Sequence, residues 1–179
     1  MSKVLIVVDA QNDFITGALG SEEAQKAIPY IKAKLEEYQN EVVIFTKDTH
    51  EQDYLESQEG KYLPVPHCIR GTEGWEINPA LMDVVQDNTR ILEKQTFGSD
   101  FLPAALHRSL PIESIELVGF CTDICVISNA LILKAFFPEV PIKVYEPGCA
   151  GTTVENHEAA LQIMRSCQIE VVRNCTPVQ

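Results

Sequence analysis

The chain has 179 residues, 45% hydrophobic and 22% charged, with a net charge of −12. That length buries about 70% of the unfolded surface in a single domain without staples, and the ordinary apolar fraction excludes intrinsic disorder. The acidic balance excludes a phosphate-tracking surface for nucleic acid, which needs clustered Lys and Arg.

Met1-Ser2-Lys3 precedes the apolar run Val4 to Val8, which is far too short for a signal peptide or a membrane span. A cytoplasmic protein without a membrane partner is expected. The six cysteines, Cys68, Cys121, Cys125, Cys149, Cys167 and Cys175, contain no CxxC pair, so reduced thiols and no structural disulfide are expected.

Val4 to Val8 is continuous, apolar and β-branched, as in a strand buried on both faces, and it ends at Asp9. Ser21-Glu22-Glu23 opens a helix with Ala24, Ile28, Ile31 and Leu35 on one face, where Pro29 predicts a kink. Glu22, Glu23, Glu36 and Glu37 form its solvated side. Val42 to Phe45 is a second strand, followed by Asp48-Thr49-His50. Glu51 to Asn78 has no sustained periodicity, and so long a connection in a compact domain is usually functional.

Pro79 to Val85 reads as a short helix and Arg90 to Glu93 as a third strand ending at Lys94. Phe101 to Leu110 is a helix, Ile115 to Val118 a fourth strand and Ile127 to Phe137 a helix, whose apolar Ala130 to Phe137 segment suits an interface in a homo-oligomer. Ile142 to Tyr145, Val154 to Cys167 and Ile169 to Val172 complete the order as strand, helix and strand. This alternation predicts an α/β fold, a three-layer, doubly wound, mostly parallel six-stranded sheet. Ligands of such sheets bind outside the carboxyl ends of the strands. Asp9, Asp48, His50, Lys94 and Cys125 all follow strand ends.

Gly119 to Val126, GFCTDICV, is a strand-to-helix turn, where free N–H groups and the helix dipole favour a thiolate. Cys125 is the candidate nucleophile. Asp9 can take its proton and later protonate a leaving amine, and the ammonium of Lys94 can stabilise the thiolate. Backbone N–H groups of Cys121 and Cys125 are placed to receive an oxyanion. The chemistry expected is amide hydrolysis through a thioester. A different reading, thiol redox or sensing by Cys121 and Cys125 four residues apart, lacks the CxxC motif.

VVDAQNDF at Val7 to Phe14, KQTFGSDF at Lys94 to Phe101 and GFCTDICV resemble, in order and spacing, the three signatures of the isochorismatase-like cysteine hydrolases, in particular the nicotinamidase branch. The resemblance implies that Asp9, Lys94 and Cys125 are catalytic acid, lysine and nucleophile, and that the Phe120–Cys121 peptide is cis. It also implies a divalent metal, zinc before manganese or iron, on Asp48, His50, His67 and Glu59, with Glu56 the alternative to Glu59. Two imidazoles and two carboxylates suit these ions.

Phe14 and Leu19 match apolar pocket positions of that branch. Trp75, Phe120 and Ile124 complete the expected substrate pocket, with Ile124 standing where many nicotinamidases carry a histidine. Tyr62-Leu63-Pro64-Val65-Pro66 lacks the aromatic residue that the branch places three positions before the histidine. The expected substrate is a small carboxamide like nicotinamide. A metal-free relative cleaving another small amide or a carbamoyl compound is the alternative. His107 and His157 are expected at a surface or helix end, Cys149 in a turn near the rim, and Thr122 and Asp123 as caps of the following helix, with Thr122 also in reach of a substrate carbonyl.

Overall fold

The computed structural model describes residues 1–86, 89–109 and 111–173. Six strands, β1 (Ser2–Val8), β2 (Val42–Asp48), β3 (Arg90–Lys94), β4 (Ile112–Phe120), β5 (Ile142–Ala150) and β6 (Glu170–Val172), pair in the order β3-β2-β1-β4-β5-β6. Every pairing is parallel. The order reverses between β1 and β4, so the carboxyl ends of β1 to β4 frame the crevice where a doubly wound sheet takes its ligand.

The chain between the strands folds into α1 (Asn12–Ile15), α2 (Glu22–Glu37), α3 (Gln58–Tyr62), α4 (Pro79–Met82), α5 (Phe101–Leu106), α6 (Ile127–Phe136) and α7 (Val154–Ser166). Val4 to Val8 are wholly buried, because β1 is central and both its faces carry core. On one face Leu5 and Val7 pack with Ala24, Ala27, Ile31 and Leu35 of α2. On the other, Val4, Ile6 and Val8 meet Leu102 of α5, Leu133 of α6 and Leu161 of α7.

α2 starts where expected, since Ser21 Oγ accepts from Ala24 N at 3.1 Å and Glu22 and Glu23 sit at the positive end of the dipole. The helix runs unbroken through Pro29, which only withholds an N–H from the preceding turn. Its buried face uses Ala27, with Ile28 packed at the margin.

Most differences from the sequence reading lie at the strand ends that build the crevice. β2, β4 and β5 run several residues further, and Cys149 lies within β5, where its thiol donates to the Tyr145 carbonyl at 3.4 Å. The helix expected over Phe101 to Leu110 stops at Leu106 and tightens into a 3₁₀ turn at His107–Ser109; Leu110 lies outside the described residues. The helix at Pro79 ends at Met82. Cys68, Cys121, Cys125, Cys149 and Cys167 are free thiols, and Cys175 lies outside the described residues. Among the described residues no helix is long and apolar enough to cross a membrane.

Gly119 explains why the end of β4 can hold the cysteine turn so close to β1. Its φ is +118°, and a Cβ there would run into the Val8 backbone. Only glycine allows this approach, which brings the residues after Phe120 next to Asp9.

Candidate active site and metal centre

Asp9 follows β1 with a φ of 47°, a left-handed conformation that is costly for a residue with a Cβ and that aims its carboxylate into the sheet edge. Thr46 Oγ1 donates to Asp9 Oδ1 at 2.6 Å and accepts from Asp9 N at 3.2 Å. Lys94, the last residue of β3, reaches across β2: its Nζ lies 2.6 Å from Asp9 Oδ2, 3.3 Å from Asp48 Oδ1 and 3.6 Å from Cys125 Sγ. All four side chains are buried.

Burial pushes the Cys125 thiol well above its usual range, with Asp9 adding to the effect and Lys94 opposing it. Burial likewise raises the Asp9 carboxyl, against the pull of Lys94. Lys94 itself overcomes burial through Asp9, Cys125 and Asp48, which hold its ammonium firmly charged. Burial thus opposes the thiolate that the turn and the helix dipole favour, and Asp9, in contact, is placed to take the proton. Burial also pushes the Cys121 thiol up to about 12, which disfavours thiol redox chemistry by this pair.

Cys125 sits in a π-helical turn, Thr122–Val126, entered through a cis peptide between Phe120 and Cys121. The Cys121 carbonyl accepts from Ile124 N at 3.1 Å and Val126 N at 3.0 Å. Asn129, one turn into α6 and wholly buried, donates to the Cys125 carbonyl at 2.8 Å and the Phe97 carbonyl at 3.2 Å and accepts from Ser99 N at 2.9 Å. One amide thus ties the segment after Lys94 to the nucleophile.

The long connection carries a donor set. His50 Nε2 lies 3.0 Å from Asp48 Oδ2 and 3.6 Å from Glu59 Oε1, and His67 Nε2 lies 3.7 Å and 3.5 Å from the same two oxygens. Glu59 belongs to α3, whose start is fixed by Ser57 Oγ accepting from Gly60 N at 2.9 Å; Glu56 is exposed in the preceding turn. His67 Nδ1 pairs with the Val65 carbonyl at 2.8 Å, which leaves Nε2 for a ligand. Separations of this size join neighbouring vertices around a centre about 2.1 Å from each donor, so the four residues fit a divalent metal. Against burial, hydrogen bonds from His50 and His67, together with Lys94, hold the Asp48 carboxyl below the usual range. His67 is likewise held up to about 10 by Asp48 and Glu59 in spite of burial.

Several supporting residues carry no expected role. Gln11, wholly buried, donates to the Asp48 and Trp75 carbonyls, both at 2.8 Å, and accepts from Asp48 N at 2.8 Å. Asp13 accepts from Cys68 N at 2.7 Å beside His67. Tyr54 packs edge-on against both imidazoles, with ring centroids 4.8 and 5.1 Å away. Gln11 and Asp13 lie within the first motif, two and four residues after Asp9, and periodicity gives no signal for either; Gln11 is buried and Asp13 half-buried.

A cavity of about 900 Å³ takes in Cys125, the metal donors and an apolar wall that includes Phe14, Leu19, Phe97, Phe120 and Ile124. Trp75 is outside it, a correction to the expected pocket. Its ring lies under the Lys47 ammonium, 3.1 Å from the centroid, and its N–H donates to Thr49 Oγ1 at 2.9 Å, so it fastens the connection to the sheet. Thr122 and Asp123 do not cap α6 either; they pair with His157 and Thr152. His107 is an exposed helix-end residue.

Comparison with known proteins gives consistent findings. A family model described as the isochorismatase domain matches residues 3–174. The nicotinamidase of Schizosaccharomyces pombe is 26% identical over 210 residues, covering 97% of this chain and 94% of its own length. The crystal structure of a nicotinamidase from Bacillus subtilis is 29% identical with a TM-score of 0.84, covering 97% of this chain and 100% of that one. A pyrazinamidase of Pyrococcus horikoshii solved in complex with zinc shares the fold, with a TM-score of 0.82 at 24% identity over 97% of this chain and 100% of that one.

Proposed function

The chain belongs to the isochorismatase family, and on that premise we propose that it is a cysteine amidohydrolase that cleaves a small neutral carboxamide, nicotinamide or a close analogue, to the acid and ammonia. The observation that carries this reading is that Cys125 shares one cavity with the Asp48, His50, Glu59 and His67 donor set while Lys94, paired with Asp9, reaches its thiol from behind the cavity wall.

Asp9 accepts the Cys125 thiol proton as sulfur attacks the amide carbon. Lys94 balances the charge passed between them, and the N–H groups of Cys121 and Cys125 receive the oxyanion, worth a few kcal/mol per donor. Asp9 then protonates the nitrogen, the C–N bond breaks and ammonia leaves a thioester on Cys125. Asp9, ionised again, takes a proton from water, which attacks the thioester and frees the acid and the thiol. A divalent metal held by Asp48, His50, Glu59 and His67, zinc by the donor set, supplies Lewis acidity and a fixed anchor for a ring nitrogen or carbonyl when bound.

Phe14, Leu19 and Phe120 offer a flat ring an apolar slot. Among the described residues, no Lys or Arg lines the cavity, so a substrate carboxylate would have no lining side-chain cation to pair with beyond the metal itself. This favours the neutral ring amide over a carbamoyl amino acid. The test is ammonia release by zinc-replete protein across nicotinamide, pyrazinamide and carbamoyl amino acids. Turnover of the ring amides, lost in Cys125→Ala, is expected; turnover confined to the carbamoyl compounds, or surviving that substitution, would refute the reading.

A further inference from the structure

The junction of β5 and α7 packs onto the back of the cysteine turn through side chains that the hydrolytic steps do not use. Thr122, wholly buried, holds Nδ1 of His157 at 2.8 Å with its hydroxyl. The neighbouring Asp123 accepts from Thr152 N at 2.8 Å and from Thr152 Oγ1 at 2.6 Å, and Thr152 Oγ1 accepts from Asn156 Nδ2 at 2.9 Å. Gly151 permits the contact: a Cβ there would lie 2.8 Å from both Asp123 Oδ1 and His157 Cβ. Two consecutive residues of the turn are therefore clamped to the start of α7.

His157, Glu146 and Glu158 also form a cluster with metal-like spacing. Arg173 pairs with both carboxylates, at 3.0 Å to Glu146 and 2.6 Å to Glu158, and the imidazole spends Nδ1 on Thr122. That cluster braces the histidine rather than presenting a cation site.

We propose that His157 is a positioning residue for the oxyanion hole, an inference that rests on the amidohydrolase reading. Thr122 directly follows Cys121, whose N–H that reading assigns to the oxyanion, and lies three residues before Cys125. A π-helical turn is wider than an α-turn, and the Cys121 carbonyl is its inner anchor. His157 supplies the outer one. An oxyanion donor works only within a few tenths of an ångström of its place, and the benefit appears in the transition state rather than in substrate binding. Loosening the anchor therefore lowers kcat and spares KM.

The test compares His157→Leu with His157→Asn, whose side-chain amide can occupy the place of Nδ1, in the zinc-replete full chain with nicotinamide. The Leu variant is expected to lose about tenfold in kcat with KM within about twofold, and to exchange the backbone amides of residues 121–126 faster, while the Asn variant recovers both. Unchanged kcat in the Leu variant, or a rise in KM alone, would overturn the proposal. Should the wild type release ammonia from no amide, the amidohydrolase reading fails by itself; amide exchange then decides the clamp, and equal protection at 121–126 in wild type and Leu variant would overturn it.

Discussion

Cys125 lies 3.6 Å from a charged lysine, yet burial and Asp9 push its thiol above the usual range. With Asp9 and Asp48 already beside the one ammonium of Lys94, ionising Cys125 as well would add a third anion in a low dielectric, so the thiol gives up its proton only as Asp9 takes it. Asp9 must be ionised to take the proton, and its folded pKa is raised above the ordinary 3.8. Activity is therefore present above that raised value and is lost as pH falls through it. A kcat/KM profile at saturating zinc should show its acid limb above pH 4; a rate flat down to pH 4 would remove Asp9 as the base. Lys94→Met should cost at least about a hundredfold in kcat/KM, measured by ammonia release, since it strips the charge partner from a buried carboxylate.

At the scale of elements, the site is held by side chains that bridge segments distant in sequence. Asn129→Leu leaves the Cys125 and Phe97 carbonyls and Ser99 N without their partner, and should destabilise the fold by about 2 kcal/mol in urea unfolding while lowering kcat. Glu116, buried in the middle of β4, takes the Tyr38 hydroxyl at 3.0 Å and the Lys34 ammonium at 3.1 Å. Glu116→Ala should cost about 2–3 kcal/mol in the same measurement and leave turnover intact, because the pair lies under α2, away from the cavity. The strands and main helices were legible because Val4 to Val8 is an unbroken apolar, β-branched run and Ala24 to Leu35 repeats with the helical period. Cross-chain bonds have no period: nothing local in the sequence pairs His157 with Thr122, or turns Trp75 onto Lys47 and away from the pocket.

For the molecule as a whole, a sheet order that reverses between β1 and β4 explains why so much of the site could be read from one dimension. Asp9, Asp48 and Lys94 each sit at a strand's carboxyl end, so placing the strands placed the chemistry. Glu59 against Glu56 was open in the sequence because both lie in an aperiodic connection; α3 settles which of them faces the histidines. Metal binding should also stabilise the fold: at a hundredfold excess over Kd zinc adds about 2.7 kcal/mol, or roughly 5–10 °C in Tm for a chain of this size. Calorimetry of chelated and zinc-replete protein should show that shift, and a His50→Ala, His67→Ala variant should not. The central claim, covalent catalysis by Cys125, is tested most directly by rapid acid quench of the zinc-replete enzyme with nicotinamide, followed by peptide mass spectrometry. The account predicts a nicotinoyl group on the Cys125 peptide that disappears as substrate is exhausted; steady ammonia release with Cys125 never acylated would contradict it.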